Sequence, residues 1–177
     1  SQKSKHDNTA TLQPVNRPLL FCVVQGGIDY ELREYCVKEL VKIGFDGYGF
    51  GGWAINEKEY FPYDLLEFVA DKLPEDKPRY AMGVGNPENM MKCIEYGYDL
   101  FDCVIPSRNA RHGLCYTTEG EVKIKNSKFK KDKTPLDPNL QSLGSSYPKY
   151  YLHHLFKVED TLGGELLTLH NLKYFNY

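Results

Sequence analysis

A chain of 177 residues, 41% hydrophobic and 26% charged, is long enough for a sizeable core and has the composition of a soluble globular protein. Its formal net charge of −2 excludes a global field that would draw it to nucleic acid, so any such contact must come from a local patch. The longest apolar runs, such as Leu19 to Val24, are too short to cross a bilayer, and the N-terminus lacks a secretory signal's apolar stretch, which points to the cytosol.

Residues 1–18 are polar and aperiodic and read as a flexible arm or loop. Leu19 to Val24 then forms a continuous apolar run, as a strand buried on both faces requires, and Gln25-Gly26-Gly27 ends it. A helix follows with Leu32, Cys36, Leu40 and Ile43 as its inner stripe, stopped by Gly44. A second strand is expected from Phe45 to Phe50, closed by Gly51-Gly52-Trp53, with a helix from about Pro62 that turns Leu65, Leu66, Val69 and Leu73 inward. A third strand runs from Arg79 to Val84. Asn86-Pro87-Glu88 then opens a helix with an N-cap and a proline at its first position, and Met90, Met91 and Ile94 line its inner face. The fourth strand spans Leu100 to Ile105 and stops at Pro106. Such strand–helix units imply parallel pairing and right-handed crossovers, and they fit either a doubly wound sheet or half of a (β/α)8 barrel. Residues 19–113 form this βα region.

Residues 114–177 follow a different pattern. Leu114 to Thr117 and Glu121 to Ile124 read as a hairpin across Thr118-Glu119-Gly120. Asn126 to Ser146, rich in Lys, Pro and Ser, is expected to be irregular, followed by helices at Lys149 to Leu162 and Glu165 to Tyr174 with a break at Gly163-Gly164. The five cysteines (Cys22, Cys36, Cys93, Cys103, Cys115) are odd in number and form no C-x-x-C pair, so they read as reduced, mostly core residues.

Ligands of parallel α/β folds gather at the carboxyl ends of the strands, where three strands here end in glycines. Any one pair is explained by turn geometry; three at one face favour a pocket for a flat ligand. Asp102 sits within an otherwise apolar strand. It is either a structural ion pair with Arg108 or Arg111, or a carboxylate aimed into the pocket as nucleophile or base. Asp99, ahead of the strand, is a weaker candidate. Ser107-Arg108-Asn109-Ala110-Arg111 brings two arginines and an asparagine suited to phosphates and base edges. Lysines 123, 125, 128, 130, 131 and 133 are either a solvated face or a phosphate-binding strip.

The segments FDGYGFGGWAI, KPRYAMGVGNPE, DLFDCVIPSRNARHG, YLHHL and LHNLKY, in this order, resemble the tRNA-guanine transglycosylases, from about Leu20 to Tyr174. The resemblance implies part, about half, of a (β/α)8 TIM barrel with a C-terminal hairpin and helical subregion. It implies exchange of a wobble guanine in tRNA for queuine or a 7-deazaguanine precursor. Asp102 matches the nucleophile. Gln25, Gly51 and Gly52 match positions that hydrogen-bond the base, Met82 one that packs on its face, and Trp53 stands beside the pocket. The segment Gly83, Val84, Gly85, Asn86, Pro87, Glu88 and Asn89 matches an RNA-contacting region, as does Ser107 to Arg111. The partners implied are tRNA, the deazaguanine base, an N-terminal half carrying the general-base Asp, and a second copy of the chain, with no membrane. The family's zinc ligands fall near Leu140, Ser142 and Ser145, leaving His170 as the remaining metal candidate, so zinc is not expected and no other cofactor is implied. Alternatives are a paralogue that inserts a deazaguanine into DNA and a non-catalytic RNA-binding subunit.

Overall fold

The computed structural model describes residues 17–52 and 61–176. The expected arm up to residue 16 and Trp53 lie outside them. Four strands form one parallel sheet: β1 (Phe21–Val24), β2 (Gly47–Phe50), β3 (Arg79–Met82) and β4 (Leu100–Asp102), in the order β1-β2-β3-β4. Helices α1 (Tyr30–Ile43), α2 (Tyr63–Ala70) and α3 (Pro87–Glu95) connect them. Right-handed crossovers between strands taken in sequential order place every helix on the same face, whereas a doubly wound sheet reverses its order and is covered on both. The sheet is therefore a sector of a (β/α)8 barrel.

The two faces of the sheet differ accordingly. Cys22, Val24, Tyr48, Phe50 and Ala81 meet Val37, Leu65, Leu66, Val69, Leu73 and Cys93 in one buried cluster. Each fully buried Leu or Val contributes about 1.5–3 kcal/mol. The opposite face carries Val23, Met82 and Leu100, all exposed. On that face β2 presents Gly47, Gly49 and Gly51, and side chains from its neighbours lie over them: Phe21 over Gly47, Met82 over Gly49, and Val23 and Met82 over Gly51.

Several expected faces are corrected. In α1, Leu32 and Ile43 are exposed, while Arg33 and Val37 are buried and Cys36 and Leu40 half-buried. The side chain of Arg33 finds carbonyl acceptors at the strand ends, which rotates the inner stripe by about one residue. In α3, Met91 and Ile94 face outward and Cys93 is buried. The Asn86 cap is as expected, its Oδ1 accepting from the N–H of Glu88 (3.0 Å) and of Asn89 (3.5 Å). β4 ends at Asp102, three residues early, because Ile105–Arg111 forms helix α4 with Pro106 in its first turn, where a missing N–H is harmless.

The remainder packs around a second cluster of Ala110, Cys115, Ile124, Phe129, Leu152, Leu155, Leu166 and Leu167. Its elements are the antiparallel pair β5 (Leu114–Thr117) and β6 (Gly120–Lys123), a 3-10 turn at Ser127–Lys131, α5 (Lys149–Lys157) and α6 (Thr161–Phe175). Gly163-Gly164 does not break a helix; it lies inside α6. Asp160 caps α6 through Leu162 N–H, and a Cβ on Gly163 would come within 3.1 Å of Leu155 Cβ, so the glycine serves close packing. Cys22, Cys93 and Cys115 are buried, and all five cysteines are unbridged. No helix among the described residues is long and apolar enough to cross a membrane.

Candidate active site at the carboxyl ends of the strands

Parallel register sets four strand ends side by side. Val24 pairs with Phe50, Phe50 with Ala81, and Met82 with Asp102. Gln25, Gly51-Gly52, Met82 and Asp102 therefore occupy one rim, as the sequence led us to expect. Gln25 is exposed and its carboxamide makes no hydrogen bond within the described residues. A side chain on Gly52, at φ +72°, would strike the Gln25 amide oxygen, so both the backbone angle and the available space call for glycine.

Asp102 is the last residue of β4 and is exposed, not enclosed in an apolar strand. Its Oδ1 accepts from the Tyr80 hydroxyl at 2.6 Å and from the Gly83 N–H at 2.9 Å. The ion pair with Arg108 or Arg111 is not formed. Oδ2 has no hydrogen bond within the described residues. One carboxylate oxygen is thus pinned and the other faces the rim. The Tyr80 phenol is pushed up to about 12, first by its hydrogen bond to Asp102 and then by burial, so it stays a proton donor at neutral pH. Asp99 is structural, its carboxylate accepting the Arg79 N–H at 2.9 Å.

Two residues at this rim were missed by the sequence reading. Tyr80 shares a face of β3 with Met82, and the period-two alternation of a strand would have revealed it. Arg33 is fully buried and donates to three main-chain carbonyls: Nε to Gly27 (2.9 Å), and Nη1 to Val24 (2.7 Å) and to Gly51 (2.8 Å). An arginine on a helix stripe gave no signal for that.

The residues matched to RNA contacts divide. Val84, Gly85 and Ala110 are buried. Gly85 packs on Cys103, where a Cβ would collide with the sulfur. Asn86 caps α3, with Pro87 as the first residue of that helix. Asn89 accepts from the Tyr63 hydroxyl (2.6 Å), and Asn109 donates to the Tyr116 hydroxyl (2.7 Å). Ser107 donates to Val104 O at 3.3 Å within the first turn of α4. Gly83, Glu88, Arg108 and Arg111 are exposed. Arg108 and Arg111, three residues apart on α4, share a side of that helix, and Arg111 lines a cavity of about 770 Å³ with Lys125, Phe156 and Glu165.

At the positions matched to zinc ligands, Leu140 is a buried aliphatic side chain. The Ser142 and Ser145 N–H groups each donate to the other's hydroxyl oxygen, at 2.9 and 3.0 Å. His170 Nε2 lies 2.8 Å from Tyr116 O, which can only accept, so the proton sits on Nε2 and Nδ1 takes the Ser142 hydroxyl at 3.1 Å. Burial holds this imidazole below its ordinary range, and hence neutral. With no thiolate and both imidazole nitrogens engaged, the donor set does not fit a tetrahedral zinc.

A family model described as queuine tRNA-ribosyltransferase matches residues 2–177. Curated relatives named queuine tRNA-ribosyltransferase include one from Aliivibrio fischeri (strain MJ11), 48% identical over 161 residues, 90% of this chain and 43% of its own length. One from Haemophilus influenzae (strain 86-028NP) is 45% identical over 174 residues, 98% of this chain and 45% of its own. A third, from Vibrio parahaemolyticus, is 49% identical over 157 residues, 88% and 42%. The chain spans less than half the length of these relatives. With a single family model running through both the sheet and the helical subregion, the chain belongs to the queuine tRNA-ribosyltransferase family.

Proposed function

We propose that this chain carries the nucleophile and part of the base pocket of a transglycosylase that replaces a guanine in tRNA, at the wobble position, with queuine or a 7-deazaguanine precursor. The observation that carries the reading is Asp102, with one oxygen held by Tyr80 and Gly83 and the other open beside Gln25, Gly51-Gly52 and Met82. Oδ2 attacks C1′ of the target ribose, guanine departs with the bond's electron pair, and a covalent ribosyl–aspartate forms. The incoming base then attacks C1′ from the vacated side and releases Asp102, so two inversions retain configuration. The paired oxygen keeps the carboxylate from turning away, and Tyr80, still protonated, needs no proton from the reaction. Gln25 and the Gly52 N–H offer hydrogen bonds to the base edge, with Met82 against its flat face. Arg108 and Arg111 supply phosphate contacts from α4.

The exposed inner face of the sheet and the relatives' greater length support a working unit that includes an N-terminal half, without which the chain is inactive. The serine–histidine cluster supports a helical subregion that holds together without zinc. The setting is the cytoplasm, where tRNA is found. The test joins this chain to the first half of the Aliivibrio fischeri relative and measures uptake of labelled guanine into tRNA and into DNA. Uptake into tRNA, a protein–RNA adduct that survives denaturation, and loss of both in Asp102→Asn are expected. Uptake that persists in Asp102→Asn sinks the assignment, and uptake into DNA alone replaces the substrate.

A further inference from the structure

Arg33 is a fully buried cation in the wall of the half-barrel. Among the described residues it has no carboxylate partner; its guanidinium stacks 4.3 Å from the Phe50 ring centroid, and its Nη2 is buried with no hydrogen-bond partner among them. Burial pulls its pKa below the ordinary value. A methionine would fill this volume without desolvating a charge, so packing does not explain the residue. What the guanidinium does is tie three carbonyls: Val24 and Gly27, on either side of the Gln25 turn, and Gly51 across the strand boundary, where the Gly51 N–H bond to Val24 O (3.3 Å) leaves the Gly51 oxygen itself to Arg33.

The Gly51 carbonyl belongs to the same planar trans peptide as the Gly52 N–H, and the two point in opposite directions. Holding the oxygen against Arg33 therefore aims the N–H away from the helix layer, toward the rim that carries Gln25 and Asp102. At φ +72° with no Cβ, Gly52 is free to let this peptide turn over. Arg33 is the group that opposes the turn.

We infer that Arg33 is the positioning residue of the base pocket, locking the Gly51–Gly52 peptide as a hydrogen-bond donor and thereby selecting a base with a carbonyl oxygen on its edge over one with an amino group there. The inference rests on the proposed transglycosylase reading and deepens it. A 7-deazaguanine lacks the N7 acceptor of guanine, so O6 is the acceptor left on its major-groove edge. A locked donor matches O6 and repels an exocyclic amine.

Two measurements test this. In the 177-residue chain, hydrogen–deuterium exchange of Arg33→Met is expected to rise about tenfold or more at residues 25–27 and 51–52, with α2 and β3 unchanged and Arg33→Lys restoring part of the protection. No rise at these turns, or an equal rise throughout, overturns the lock. In the joined protein, Arg33→Met is expected to raise the KM for guanine about tenfold while kcat stays within about twofold, and to leave the inhibition constant of 2,6-diaminopurine unmoved or lowered. A fall in kcat alone, or equal weakening of both bases, overturns the selectivity. If the unsubstituted protein exchanges no guanine but the exchange pattern at the two turns is as expected, the transglycosylase reading fails and the peptide lock stands.

Discussion

The two buried clusters of this chain handle polar groups in opposite ways. Around the sheet, two polar side chains at the rim are exposed and only partly engaged among the described residues: Gln25 with no hydrogen bond to its carboxamide, Asp102 with one oxygen unpaired. In the helical subregion they are interior and fully engaged. Asn171, fully buried, accepts the Tyr116 N–H (3.1 Å) and donates to Pro106 O (2.9 Å) and Leu114 O (3.1 Å), pinning α4, β5 and α6 with one amide. His170, the residue before it, and the two serines do the same. The first region leaves hydrogen-bonding capacity open at its rim, and the second uses it to hold itself together. Mutations should therefore separate activity from stability along this line.

The largest expected effect lies in the helical subregion. Asn171→Leu removes the buried side-chain partner of the Tyr116 N–H and of the Pro106 and Leu114 carbonyls, and should cost about 3–5 kcal/mol in urea denaturation. Asp102→Asn should leave the denaturation midpoint where it was while abolishing exchange; a comparable loss of stability in both variants would erase the contrast. Next comes the metal. A chelator should not shift the melting temperature of this chain by more than about 1 °C, since Leu140, Ser142, Ser145 and His170 offer no thiolate and no unengaged imidazole nitrogen to a metal. Replacing Leu140, Ser142 and Ser145 together by cysteine should create a zinc-dependent melting temperature, with His170 as fourth ligand, and a chelator effect on the unsubstituted chain would contradict the hydrogen-bonded cluster. Tyr80→Phe is smaller: exchange should slow about tenfold, as expected for one hydrogen bond to a charged group, with unchanged stability.

The smallest expected effect sharpens the comparison at the start of the sheet. The Asp46 carboxylate is held down to about 2 by its hydrogen bond to Arg17, helped by the Leu20 N–H at 2.8 Å. A carboxyl lowered on folding stabilises above its ordinary value, near 3.8, and that contribution disappears as pH falls through about 2. Acid titration followed at the Leu20 amide should therefore show release of the strand's start between those values, and Asp46→Asn should remove the transition. Persistence of the transition in the variant would assign it elsewhere.

Much of this was legible in the sequence because glycine, proline and capping residues act locally. Asn86 caps α3 and the carboxyl ends of the strands converge as their glycines indicated. What stayed hidden depended on partners far along the chain. A one-residue rotation of α1 follows from Arg33 reaching carbonyls at Val24 and Gly51, which no helical period reports. Asp102 looked enclosed because its neighbours are apolar, yet it ends its strand and borrows a hydroxyl from β3. Gly163-Gly164 resembled a helix break because the close approach of α4 and α5, which explains the pair, is a tertiary fact. The stretches matched to RNA contacts showed no division in the sequence, whereas packing takes Val84, Gly85 and Ala110 inward and leaves Arg108 and Arg111 outside.

The row Gly47, Gly49 and Gly51 turns β2 into a bare strip that its neighbours upholster from the side. Its depth is consequently decided elsewhere, by the reach of Phe21, Val23 and Met82 across it. A single methyl at position 49 would come within 3.3 Å of the Met82 sulfur and push that side chain outward. The floor beneath any flat guest is thus adjustable in steps of one atom by substitutions that never touch the guest.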